Sequence, residues 1–133
     1  MIVDTSAVVA ILKREPWWEA VERTLADAST ARMSAGTSLE LGLVVDQARS
    51  AELSRLLDTL LRDWDVVVEP VTAEHARVAR EAYRDYGRGS GHRARLNFGD
   101  CFAYALASLT GEPLLFVGDD FAATDLTPAL VVD

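Results

Sequence analysis

Apolar and polar positions follow two rhythms along this chain: short runs of consecutive apolar residues, and longer stretches in which apolar residues return every three or four positions. The first run, Met1 to Val3, ends at Asp4 and predicts a strand, with Thr5 to Leu12 following as a short helix. Pro16 stands where a helix accepts its first residue, and Trp17, Val21, Leu25 and Ala28 fall at helical spacing around it. Ala31 to Ser34 reads as a second strand. Leu39, Leu41, Leu43, Val44 and Val45 then form a helix that is apolar on most sides, which predicts burial, with Glu40 inside it. The clearest periodicity follows a Ser50 cap, where Leu53, Leu56, Leu57, Leu60, Leu61 and Trp64 make one stripe that ends at Asp65. Val66, Val67 and Val68, bounded by Asp65 and Pro70, carry a strand signature. Thr72 caps a further helix whose inner face is expected at Ala76, Ala79, Tyr83 and Tyr86. Phe98 to Leu109 is a helix rich in alanine, stopped by Gly111 and Pro113. Leu114 to Val117 reads as a strand, Gly118 to Phe121 as a turn, and Ala129 to Val132 as a last strand.

Short apolar strands separated by helices predict an α/β fold with a short, mostly parallel central sheet and helices on both faces. No repeat, low-complexity segment or Pro/Ser-rich linker divides the chain, so residues 1–133 are read as a single domain.

Composition narrows the function. The net charge of −8 has the wrong sign for a protein that grips nucleic acid through a broad basic face. The charge is uneven, however: Arg84, Arg88, His92, Arg93 and Arg95 face only Asp85 in a glycine-containing segment, the one stretch suited to contacting phosphates. No apolar run approaches the roughly 20 residues that span a bilayer, and no basic stretch opens the chain, so it is read as cytoplasmic. The single cysteine, Cys101, excludes an internal disulfide and a thiolate metal cluster and reads as a buried free thiol. The single lysine, Lys13, makes lysine-dependent chemistry improbable elsewhere in the chain.

Ligands of an open parallel sheet bind beyond the carboxyl ends of its strands. Asp4 directly follows the first strand, Asp119 and Asp120 follow the strand Leu114 to Val117, and Asp100 lies in the first turn of its helix. Glu40 is the one carboxylate in an otherwise apolar helix, a costly place unless it is paired. Clustered carboxylates stay ionised together only beside a cation. Oxygen donors without cysteine or paired histidine favour Mg²⁺, with Mn²⁺ as a substitute, over zinc. Such an ion supports phosphodiester hydrolysis. Each acid also has a plainer reading: Asp4 as a helix cap, Asp100 as a partner of a helix dipole, Glu40 as a face residue, Asp119 and Asp120 as turn residues. His75 and His92 are read as residues of a solvated helix face and a solvated loop.

Four separated segments carry a resemblance. They are Met1-Ile2-Val3-Asp4-Thr5-Ser6-Ala7, Ser38-Leu39-Glu40, the run from Gly91 through Asn97-Phe98-Gly99-Asp100 to Cys101, and Leu114-Leu115-Phe116-Val117-Gly118-Asp119-Asp120-Phe121. In this order, and up to about Asp125, the chain resembles VapC-type PIN-domain toxins of toxin–antitoxin pairs. The resemblance implies a PIN fold and a Mg²⁺-dependent endoribonuclease. Its acidic site would comprise Asp4, Glu40, Asp100 and either Asp119 or Asp120, with Asp4 and Asp100 as metal ligands. Thr5, Ser6 and Asn97 would orient the acids, and Arg88, Arg93 and Arg95 would contact RNA. It further implies a cognate antitoxin, a structured RNA substrate cut in a single-stranded loop, and a homodimer supported by Trp17, Trp18, Leu53, Leu57 and Leu61. Two other readings compete. A catalytically silent PIN-like module would bind partners only. A receiver-like phosphoacceptor domain needs a lysine late in the chain, where this sequence has none.

Overall fold

The structure, a computed structural model, describes residues 1–132. Its strands are β1 (Ile2–Val3), β2 (Ala31–Ser34), β3 (Val66–Glu69) and β4 (Leu114–Leu115), and its helices are α1 (Thr5–Lys13), α2 (Trp18–Ala26), α3 (Ala35–Asp46), α4 (Ala51–Asp63), α5 (Ala73–Tyr86) and α6 (Phe98–Thr110). The strands form one sheet in the order β3-β2-β1-β4, with all three pairings parallel. A helix pair follows each of the first three strands, the connection that parallel neighbours require.

Alternation along the strands sorts the core into two layers. Val3 and Leu115 pack with Val8 and Ile11 of α1, Val21 and Leu25 of α2, Leu41 and Val45 of α3 and Leu57 of α4. Ile2 and Leu114 face the other way, onto Ala82 of α5 and Ala103, Leu106 and Ala107 of α6. The expected α/β layering with helices on both faces is present. The two layers meet beyond the strand ends, where α3 crosses α6: a side chain at Gly36 would run into the Phe102 ring, and one at Gly99 into the Glu40 carboxyl.

Several local expectations are corrected. Pro16 does not start α2; Arg14 and Trp17 adopt left-handed backbone conformations on either side of it, and the helix begins at Trp18 and ends before Ala28. The helix α3 is not buried on most sides: Leu41 and Val45 reach the core, while Leu39, Leu43 and Val44 are exposed. The inward face of α5 is Val78, Ala82 and Tyr86 rather than one including Ala76 and Tyr83, which are exposed, because only the former set lies over the sheet. Of the residues expected to leave an apolar surplus, Leu57 is buried, and Leu53 and Leu61 pack against the core. The strand β4 stops at Leu115 because the next residues leave the ladder; the Val117 N–H donates to Ser6 Oγ at 3.1 Å. No strand forms at Ala129 to Val132. Pro128 has no N–H to continue a ladder, and a single bridge remains in which Leu114 N–H donates to Thr127 O at 2.9 Å and Ala129 N–H to Leu114 O at 2.8 Å. Among the described residues no helix is long and apolar enough to cross a membrane.

Candidate active site

Asp4 leaves β1 as the N-cap of α1, with extended backbone and its Oδ2 accepting from the Ser6 N–H at 3.0 Å and the Ser6 hydroxyl at 2.6 Å. The Ser6 hydroxyl in turn accepts from Val117 N–H, so one serine ties the end of β1 to the end of β4. Asp4 Oδ1 is buried and has no hydrogen-bond partner. A cap needs only one oxygen, and the second points to a further role.

Asp100 is the third residue of α6 and half of a capping box: Asn97 N–H donates to its Oδ2 at 2.9 Å, and Asp100 N–H donates to Asn97 Oδ1 at 2.9 Å. Glu40, in the second turn of α3, accepts from the Thr5 hydroxyl at 2.6 Å. The close α3–α6 crossing at Gly99 sets the Glu40 carboxyl against the first turn of α6. Asp4, Thr5, Ser6, Glu40, Asn97, Asp100 and Asp120 all line one open cavity of about 460 Å³; Asp119 does not. The adjacent aspartates left undecided by the sequence are thus separated by position.

Electrostatics follow from this crowding. Burial pushes Asp4 up to about 6, more than the Ser6 hydroxyl and N–H lower it, with the Glu40 charge adding to the rise. Burial likewise raises Asp100 to about 7 against the lowering effect of the Asn97 N–H, and Asp4, Asp120 and Glu40 push further in the same direction. Carboxyls held this far above their ordinary range mark a place built for a cation or a proton. Among the described residues, no three acidic, histidine or cysteine side chains close around one point as a ready cage.

Sequence reasoning missed Glu15, which lines the same cavity from the turn after α1. No motif flagged it, since it reaches the site only through the left-handed turn at Arg14. Arg88, Arg93 and Arg95 are exposed and do not line the acidic cavity. Their loop is tied down rather than free, with Arg88 N–H donating to Leu96 O and Leu96 N–H to Tyr86 O, both at 2.9 Å. His92 is not simply solvated: its Nδ1 accepts from Ala94 N–H at 3.0 Å and its ring packs edge-on to Tyr86. His75 is half-buried, its Nδ1 enclosed without a partner. Cys101 is buried as expected, its thiol donating to Asn97 O and raised by burial to about 11. Lys13 lines a separate cleft with Leu12, Val45 and Leu53, so the acidic cavity lacks the lysine of a receiver-like site.

Known proteins are similar to this chain in sequence and fold. The PIN domain profile matches residues 1–126. The chain is 54% identical over 129 residues to "Ribonuclease VapC42" of Mycobacterium tuberculosis, covering 97% of this chain and 98% of the relative. Among solved structures, VapC20 of Mycobacterium tuberculosis, described as a Sarcin-Ricin loop cleaving toxin, superposes with a TM-score of 0.74 at 20% identity and 95% coverage of each chain. VapBC2 from Rickettsia felis, solved on a DNA fragment from its promoter, superposes with a TM-score of 0.71 at 18% identity, covering 96% of this chain and 95% of that one. A full-length match to the family profile and a relative sharing more than half its residues settle the membership: the chain is a PIN domain and belongs to the VapC ribonuclease family.

Proposed function

We propose that the chain is the toxin of a toxin–antitoxin pair, an endoribonuclease that hydrolyses RNA phosphodiester bonds at the cavity formed by Asp4, Glu40, Asp100 and Asp120. The observation that carries this reading is Asp4: a buried carboxylate with one oxygen clamped by Ser6 and the other enclosed without a partner, raised to about 6 in a cavity that Glu15, Glu40, Asp100 and Asp120 also line. Divalent-metal dependence is general in this family, and the free Asp4 oxygen with the hard-oxygen donors around it fits Mg²⁺, with Mn²⁺ as its substitute. Asp4 and Asp100 would hold the ion. When bound, it polarises a phosphoryl oxygen and lowers the pKa of a coordinated water.

The chain's own residues define the rest. Ser6 fixes the Asp4 carboxylate so that only one oxygen is free, and Asn97 does the same for Asp100 through its backbone N–H. Thr5 holds Glu40 at the cavity wall, where the carboxylate would serve as the proton acceptor for an attacking water. Asp120, on the exposed turn after β4, lines the same cavity and would be the fourth acid.

The partner is a cognate antitoxin, and the toxin assembles as a homodimer. Exposed Leu39 and Leu43 on α3, with Phe98 beside an apolar cleft lined by Ala76, Tyr83 and Phe102, supply the uncovered apolar surface. The test is incubation of antitoxin-free protein with structured RNA in Mg²⁺ or Mn²⁺. New 5′ ends that require both metal and Asp4 support the assignment, and intact RNA in every condition rejects it in favour of a partner-binding module.

A further inference from the structure

Beside the acidic cavity the chain reverses from α1 into α2 through Arg14, Glu15, Pro16 and Trp17. Arg14 (φ 51°) and Trp17 (φ 73°) are both left-handed, conformations that side-chain-bearing residues adopt at a cost. The turn is nevertheless fixed, with Glu15 N–H donating to Ala10 O at 2.9 Å, Trp18 N–H to Glu15 O at 3.1 Å and Val21 N–H to Trp17 O at 3.0 Å. Two strained residues in so tight a turn hold Glu15 at the cavity rim and leave Trp17 53% exposed. The Arg14 guanidinium lies over the Trp18 ring, 5.2 Å from its centroid, so Trp18 is covered and Trp17 is the open indole.

A cleft of about 570 Å³, lined by Arg14, Glu15, Pro16, Trp17, Trp18 and Arg23 among others, adjoins the acidic cavity, and Glu15 lines both. An open aromatic face, nearby arginines and a carboxylate at the boundary are the elements with which proteins hold unpaired nucleotides. Exposed apolar residues of α3, α5 and α6 offer a separate surface for protein contact.

We propose that the α1–α2 turn is a subsite for an unpaired nucleotide next to the scissile phosphate, with Trp17 stacking on its base and Glu15 accepting hydrogen bonds from a base edge that carries donors. Guanine fits best, because its N1–H and N2–H lie side by side and match the two oxygens of a carboxylate. Arg14 and Arg23 offset the backbone charge of RNA entering an acidic protein. This assignment rests on the ribonuclease reading above.

The test measures binding in EDTA, without cleavage, by fluorescence anisotropy of a labelled uridine octamer and of the same octamer carrying one central guanosine. Wild-type protein is expected to bind the guanosine octamer roughly tenfold more tightly. Trp17→Ala weakens both octamers roughly tenfold or more, and Trp17→Phe restores most of that loss. Glu15→Gln removes the guanosine preference while leaving the uridine octamer bound at least as well as before. Unchanged RNA affinity in Trp17→Ala overturns the subsite, as does failure of wild-type protein to bind either octamer. A Trp17→Ala variant that changes only sedimentation or antitoxin binding overturns it too, by assigning the turn to a protein contact. Because no metal or turnover enters the readout, a wild-type protein that binds these octamers but cleaves no RNA in Mg²⁺ would discredit the nuclease reading and not the subsite.

Discussion

Replacing Asp4 with Asn tests the electrostatics of the cavity without removing the helix cap, since Asn caps as well as Asp and its Oδ1 still accepts from Ser6. A carboxyl moved from 3.8 to about 6 on folding disfavours its charged form by about 3 kcal/mol at pH 8. The sign is that of a raised carboxylate. The folded state binds the proton more tightly, so the Asp4 contribution is favourable at low pH and is lost as pH rises through about 6. The variant carries no such dependence. It does carry a constant cost of about 1 to 2 kcal/mol, because an amide NH₂ takes the place of the buried, unpartnered Oδ1. The diagnostic quantity is therefore the change in the stability difference between two pH values, in which that constant cancels. From pH 8 to pH 4.5 wild-type protein gains about 2 kcal/mol on Asp4→Asn, equivalent to roughly 5 to 10 °C in relative melting temperature. Thermal unfolding in EDTA across this range is the assay, with Asp100→Asn introduced into both proteins so that the Asp100 titration, which is coupled to the Asp4 charge, does not enter the comparison. A stability difference that stays constant with pH would refute the claim that burial holds Asp4 near its neutral form.

Three further outcomes follow from the same geometry. Gly99→Ala places a methyl group against the Glu40 carboxyl, the movable end of a side chain, so stability falls by no more than about 1 kcal/mol while RNA cleavage falls at least tenfold; Gly36→Ala meets the Phe102 ring instead and costs about 1 to 3 kcal/mol in denaturant unfolding. Asn97→Ala removes one side of the capping box, costing about 1 kcal/mol, and loosens Asp100, so Mn²⁺ affinity measured by calorimetry drops beyond what the stability loss explains. The apparent Mn²⁺ affinity rises with pH up to about 7, because Asp100 must give up its proton to ligate the ion, and an affinity that stays flat from pH 5.5 to 8 in calorimetry contradicts that assignment.

Most of the fold was legible because burial enforces pattern. The strands at Met1 to Val3 and Ala31 to Ser34, the Ser50 and Thr72 caps and the Gly111 stop all sit where local chemistry places them. The pattern misled where apolar residues are not buried. Leu39 and Leu43 made α3 look enclosed, although no neighbouring element covers that face. The apolar Ala129 to Val132 run was a strand by composition, but Pro128 and a two-residue β4 leave it almost nothing to pair with. The acids at strand ends were readable because the topology of a parallel sheet sends them to one edge. The choice between Asp119 and Asp120 was not, since the direction of each side chain depends on how the chain turns after Val117 N–H bonds Ser6. Glu15 was invisible for a related reason: only the left-handed backbone at Arg14 and Trp17 brings it back to the cavity.

The central claim is that four carboxylates, with Asp120 and not Asp119 as the fourth, make one metal-dependent ribonuclease site. Its most direct test is single-turnover cleavage of a mapped RNA substrate in Mg²⁺ by wild-type protein and by the Asp4→Asn, Asp119→Asn and Asp120→Asn variants. The account predicts discrete cleavage by wild type and Asp119→Asn at rates within a few-fold, and loss of at least a hundredfold in Asp4→Asn and Asp120→Asn. Cleavage that persists in Asp4→Asn, or that is lost in Asp119→Asn and retained in Asp120→Asn, would contradict it.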